Sequence, residues 1–284
     1  MKLKGHTQPR DFKAINPWQR LLVLAMVTFT IAPFAPLVIQ SLAFRWAWPN
    51  ILPTVWWHEQ RGLSPLPLAW DYVFSSSSRV AEATANTLGI GIAVTLLCLV
   101  VCLPAARVLA QSNFRGKSQL EFLIVLPLLL PEAAIGIALL MIFIGLGLAG
   151  TYVGVIIVHL IPTIPYMVRM LTAVYQGHGT EAEDHARVLG ASRSQVFFQV
   201  TLPMILPGVI AGCLFTFLVS TNLFLLTFFI GQGEIITLPT LLFAKISGGA
   251  LNATGAGIAL IASLPGIILL FFTDRFIRSY PLAT

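Results

Sequence analysis

The chain has 284 residues, 57% of them hydrophobic and only 10% charged. Soluble domains carry about 25% charged residues, so this composition and a mean hydropathy of +0.86 exclude an ordinary water-soluble globule. The net charge of +6 does not mark a nucleic-acid binder, because the basic residues cluster beside apolar runs, where they orient a membrane protein.

Apolar runs of about 20 residues predict an all-α, polytopic membrane protein with six transmembrane helices. In chain order they cover roughly 21–42 (with Pro33 and Pro36 inside), 84–109, 122–148, 152–174, 204–230 and 255–272. The first run is longer than the ~7–15 apolar residues of a cleaved signal peptide, and no small-x-small site follows it. The expected organisation is a cytoplasmic tail over 1–20, a first helix and outer loop over 21–83, a five-helix core over 84–273 and a tail over 274–284.

Thirteen of the 17 basic residues fall on one side of this arrangement: Lys2, Lys4, Arg10, Lys13, Arg20, Arg107, Arg115, Lys117, Arg169, Arg187, Arg193, Arg275 and Arg278. The other side holds Arg45, Arg61, Arg79 and Lys245. The positive-inside rule then puts both termini in the cytoplasm. The outer segment 43–83 holds Trp46, Trp48, Trp56, Trp57 and Trp70, which reads as an interfacial aromatic belt or as a docking surface for an external partner. Cys98, Cys102 and Cys213 lie within apolar runs with no further ligand nearby, and read as small packing residues.

One cytoplasmic stretch breaks the apolar pattern: TEAEDHARVLGASRSQVFFQVTLP, residues 180–203. Thr180 with Glu183, and Ser192 with Gln195, have the spacing of two capping boxes. Ala182, Ala186 and Leu189 fall on one helical face; Val196, Phe197 and Val200 on another. Gly190 stands where a left-handed residue ends the first helix, and Pro203 suits the first turn of the next span. The pattern predicts two short capped helices with a bend, a protrusion suited to a groove on another protein.

This stretch resembles the EAA loop of permease subunits in binding-protein-dependent ABC importers. That pattern is Glu-Ala-Ala, three residues, Gly, nine residues, then an aliphatic residue, any residue and Leu-Pro. Gly190 is followed after nine residues by Val200, Thr201, Leu202 and Pro203, while the Glu-Ala-Ala positions hold Asp184, His185 and Ala186. Asn86-Thr87-Leu88, the pair Pro127 and Pro131, His159 with Pro165, and IGQGEIITLPTLLF at 230–243 resemble the spermidine/putrescine branch. The resemblance implies a type I ABC importer permease (MetI-like) fold in the inner membrane of a bacterium. It implies ATPase coupling through Asp184, His185, Ala186, Leu189, Gly190, Ala191, Val200, Leu202 and Pro203. It also implies a second permease subunit, two cytoplasmic ATPase subunits that hold ATP and Mg²⁺, and an external solute-binding protein. This chain would itself be noncatalytic, with no cofactor and no metal. Gly116-Lys117-Ser118 is not a P-loop, since Gln111 stands where the first glycine is needed.

Glu132 is the membrane residue that asks for an explanation. Counted along a straight third span it lies ~16 Å from the cytoplasmic end, near the midplane, where an acid needs water or a partner. Two readings stay open: a cation contact in the solute pathway, or a hydrogen-bonded acid bracing the turn at Pro131. Ser220, Thr221 and Asn222 are further pathway candidates, though polyamine permeases carry acids around this point. His159 and Pro162 read as structural, with His159 ~11 Å from the outer face and out of reach of Glu132 on straight helices. The expected solute is a polyamine or another small amine-bearing compound. The alternatives are an importer of a different solute, such as a phosphonate or opine, and an ion-coupled secondary transporter. No HExxH or GxSxG motif supports an intramembrane enzyme.

Overall fold

The structure, a computed structural model, describes residues 16–46, 49–56, 68–248 and 252–279, with side chains up to 269. Trp48, Trp57, Arg61, Lys2, Lys4, Arg10, Lys13 and the side chains of Arg275 and Arg278 lie outside the described residues. In chain order the helices are α1 (Pro17–Ile31), α2 (Phe34–Leu42), α3 (Leu68–Phe74), α4 (Val80–Gln111), α5 (Lys117–Val125), α6 (Glu132–Gly145) and α7 (Tyr152–His178). They continue as α8 (Glu181–Val188), α9 (Arg193–Gln195), α10 (Leu202–Asn222), α11 (Leu225–Gly231), α12 (Leu238–Ile246) and α13 (Ala253–Ser279). A short antiparallel ribbon, β1 (Ala43–Arg45) with β2 (Val55–Trp56), is an addition to the expected all-helical chain.

Among the described residues, four apolar stretches are long enough to cross a membrane: Pro17–Leu42, Val80–Gln111, Tyr152–His178 and Arg193–Asn222. The bent pair Lys117–Leu129 and Glu132–Gly145 makes a fifth, and α13 contributes a shorter apolar stretch, Ala253–Leu269. The expected spans are thus all present as helices, the first, third and fifth of them interrupted.

The core lies where α4, α7 and α10 pack together. On α4, Ile90, Val94, Cys98, Cys102 and Ala106 recur every four residues and are buried, an i+4 ridge of the kind that fits the grooves of neighbouring helices. Cys98 also shares a 3.3 Å hydrogen bond with the Thr163 hydroxyl of α7. Gly208 of α10 sits so close to α7 that a Cβ there would overlap the Val174 side chain. Ile92, Leu96 and Val100 leave the opposite face of α4 exposed and apolar, which in lipid carries no penalty. The first span stays outside this core: nothing in its most apolar window is buried, and its second part, α2, packs on α3 and α13.

The third span is not one helix. It turns by 99° between Leu129 and Glu132. Pro127 and Pro131 remove backbone donors, and the residue before a proline is pushed from helical to extended backbone; Leu130 is extended at φ −91°, ψ 142°. Depth counted along a straight helix therefore does not apply to Glu132, which begins a new one. The fifth span breaks as well, between Asn222 and Leu225. Here the side chains compete for the backbone: the Thr221 hydroxyl and the Asn222 amide both donate to the Leu218 carbonyl.

At one end of the bundle the α4 start clasps the segment after α11. Asn86 Nδ2 donates to the Ile236 carbonyl at 2.8 Å and its Oδ1 accepts from the Tyr152 hydroxyl at 2.9 Å. The Thr87 hydroxyl accepts from Leu238 N–H at 2.8 Å. Gly150 turns at φ 75° and donates its N–H to the Ile230 carbonyl.

Candidate functional site

At the other end of the bundle stands the 180–203 loop. Helix α8 ends in a tight turn in which Gly190 N–H donates to Arg187 O and Ala191 N–H to Ala186 O. Gly190 has φ 89°, the left-handed conformation that favours glycine. Ser192 and Gln195 form the expected capping box around α9. The chain then widens into a π-helical turn over Val196–Thr201 before α10 begins. Val196 is buried and Phe197 and Val200 half-buried, while Phe198 is exposed.

The first expected capping box is absent. Thr180 makes no cap hydrogen bond, and Glu183 turns inward instead, only 4% exposed. Its carboxylate is ion-paired with Arg107 of α4, accepts from Arg187 at 3.1 Å and accepts from the Thr201 hydroxyl at 2.7 Å. Three charge-assisted contacts account for a buried carboxylate that would otherwise be costly. The sequence pattern hid this partner: Arg107 is 76 residues away, at the far end of another helix.

The other side of α8 faces outward. Asp184 and His185 are exposed, and Asp184 holds Arg187 at 2.6 Å within the same helix. Ala186 and Ala191 are half-buried under the loop, as are Val200 and Leu202; Pro203 is exposed in the first turn of α10. Leu189 does not share the inward face of Ala182 and Ala186, because it lies past the last helical residue. It and Val188 are each 87% exposed, an apolar tip on a charged loop. A valine at position 190 finds open space but would be held in a left-handed backbone, at a cost of about 1–2 kcal/mol. Gly190→Val should therefore misplace the tip, with normal insertion into the membrane. The rate at which protease cuts the loop in membrane vesicles, against the amount of chain they contain, measures this.

Within the membrane, two polar side chains converge on α11. Glu132 Oε1 accepts a 3.2 Å hydrogen bond from Leu226 N–H, placing the carboxylate at the positive end of that helix. His159 is 1% exposed; its Nδ1 shares a 3.0 Å hydrogen bond with the Ser220 hydroxyl and its Nε2 a 2.8 Å one with that of Thr227. Glu132 and His159 thus do not pair but hold the same short helix from α6 and α7. Thr227 was not among the sequence candidates. Ser220 is buried against His159, Thr221 is buried, and Asn222 is exposed. Pro162 and Pro165 lie inside α7, and the Thr163 hydroxyl between them bonds back to the His159 carbonyl at 2.7 Å. Gly116, of the Gly-Lys-Ser sequence, precedes α5 at φ 87°, and the element directly before it is helix α4 rather than a strand.

Comparison with known proteins agrees with this architecture. The chain is 27% identical over 264 residues to the putrescine transport system permease protein PotI of Escherichia coli (strain K12), covering 89% of this chain and 88% of that one. It is 32% identical over 237 residues to the molybdenum transport system permease protein ModB of Mycobacterium tuberculosis (strain ATCC 25618 / H37Rv), covering 78% and 80%. A bacterial ABC transporter involved in the import of the acidic polysaccharide alginate shares the fold, with a TM-score of 0.70 over 91% of this chain and 95% of that chain at 16% identity. The MetNI methionine ABC transporter in an inward-facing conformation also shares it, with a TM-score of 0.57 over 70% and 94% at 16% identity. Residues 102–280 match the family described as binding-protein-dependent transport system inner membrane component, and with more than half its length inside that match the chain belongs to this family.

Proposed function

We propose that this ABC importer permease subunit couples a cytoplasmic ATPase to its membrane helices through residues 180–203, and that its solute carries a protonated amine. The observation that carries the coupling role is the two-sidedness of α8. One side is ion-paired through Glu183 to α4, while Val188 at its end and Leu189 just past it stand exposed. In this reading two ATPase subunits hold ATP and Mg²⁺, and this chain is noncatalytic. A second, related permease subunit completes the pathway, and an external binding protein delivers the solute. Both termini lie in the cytoplasm of a bacterium, as the distribution of basic residues supports.

The amine reading rests on Glu132, an acid beside a break in two spans, and is supported by the likeness to a putrescine permease. A second reading has support of its own. The molybdenum permeases are relatives too, and Ser220, Thr221 and Asn222 offer neutral groups where a cation path would gain from acids. Glu132→Gln separates the two. At an effective dielectric of about 20, a carboxylate 4 Å from an ammonium contributes about 4 kcal/mol of gross attraction, and the same repulsion for an anion. Uptake of putrescine should fall at least tenfold in the variant, with assembly and basal ATP hydrolysis retained. Faster uptake of an oxyanion instead would replace the amine reading. Loss of assembly would leave Glu132 as a brace for α11.

A further inference from the structure

A cavity of about 250 Å³ opens between α5, the end of α4 and the second half of α7. Its polar lining is Glu121, Arg169, Thr172 and Gln176; Leu109 and Ile124 are among the apolar residues. Glu121 and Arg169 carry opposite charges into the same space, yet neither forms an ion pair with the other or with any described residue. The Thr172 hydroxyl is fully covered and has no hydrogen-bond partner, although a helical threonine can bond back to its own backbone and Thr163 on the same helix does. Arg169 lies nine residues before His178, about 13 Å from the end of α7 at 1.5 Å per residue. An arginine near the end of a membrane helix reaches the interface, where anionic oxygens are its natural partners.

We propose that this cavity binds a zwitterion, an ammonium and a phosphate or carboxylate a few bonds apart. Arg169 would take the anionic oxygens on its guanidinium fork and Glu121 the ammonium. The Gln176 amide supplies a further donor and acceptor. A simple cation is opposed by Arg169 and a simple anion by Glu121, so the pair selects for both charges together. The volume lies below the roughly 300–1,000 Å³ of drug-sized sites, which limits the ligand to a small molecule or the headgroup of a larger one. The site is separate from Glu132 and from the coupling loop, and it stands whichever solute the importer carries.

Two sources share this chemistry, a free zwitterion and the headgroup of phosphatidylethanolamine. The test uses the full chain in its purified complex, stripped of lipid in detergent. Soluble O-phosphoethanolamine should raise the melting midpoint by several degrees, and an equimolar mixture of phosphate and ethanolamine should not. Glu121→Gln and Arg169→Gln should each weaken the half-saturating concentration at least tenfold; both side chains are exposed, and elution as an intact complex checks their folding. Phosphatidylethanolamine retained by the parent and lost from both variants assigns the site to the headgroup, whereas a response to the soluble probe without lipid retention assigns it to a free zwitterion. No response to either probe, an equal response to the separated ions, or an unchanged response in both variants overturns the proposal.

Discussion

Glu183→Ala should abolish coupled transport while the chain remains in the membrane. Glu183 is the point where α8, α4 and the start of α10 meet, through Arg187, Arg107 and Thr201. Removing one member of a buried ion pair costs about 3–5 kcal/mol, because the other charge stays behind unpaired. Arg107 is one-third exposed and Arg187 about half, so solvent recovers part of that. A loss of roughly 2 kcal/mol is a fair expectation, a shift of about 30-fold toward a loop detached from the bundle. ATP hydrolysis by the assembled complex should continue without solute movement. Thr201→Val, which removes one hydrogen bond, should weaken transport only severalfold. Solute uptake and ATP hydrolysis measured on the same vesicles decide the matter, and wild-type uptake in Glu183→Ala would remove the strut role.

The second large effect belongs to the tip. Burying a valine or leucine side chain contributes about 1.5–3 kcal/mol, so the pair Val188 and Leu189 is worth about 3 kcal/mol or more to whatever covers them. The double substitution Val188→Ser, Leu189→Ser should lower ATPase affinity by roughly 100-fold or more. It leaves the Glu183 ion pairs, the Gly190 turn and the Ser192 cap intact, so the loop keeps its shape. Titrating the purified permease with its ATPase in detergent reads the change directly. An unchanged affinity would mean that the tip docks nothing.

The spans were legible because their signal is simple: long apolar runs need only length and composition. The breaks were harder. Pro127 and Pro131 announced a disturbance in the third span, but a proline does not say whether a helix bends slightly or turns by 99°. The fifth span broke at Ser220–Asn222 without any proline or glycine, through side chains that bond to the Leu218 carbonyl. Gly190 and the Ser192 box were readable because a left-handed turn and a cap are local events. Glu183 was misread for the complementary reason. At N3 of a helix a glutamate fits a capping box, and only the fold brings Arg107 beside it. His159 was legible as a hydrogen-bonding residue but its partners were not, since Ser220 and Thr227 lie 61 and 68 residues away.

Helix α4 is also a piece of mechanics. Asn86 and Thr87, near its first turn, are fastened to the segment around Ile236 and Leu238, and Arg107, near its last, is fastened to Glu183. The 21 helical steps from Asn86 to Arg107 span about 31 Å of continuous helix. A helix is stiff along its axis, so such a rod transmits a push or a twist at one end to the other with little lost between. No relay of intermediate side chains is needed for the two faces of the protein to move in step. Compliance would concentrate at Pro104, which sits inside the rod within a turn of Arg107. The lever would flex at the end nearest the 180–203 loop, and the clasp at its other end would move with the rest of the rod as one rigid body.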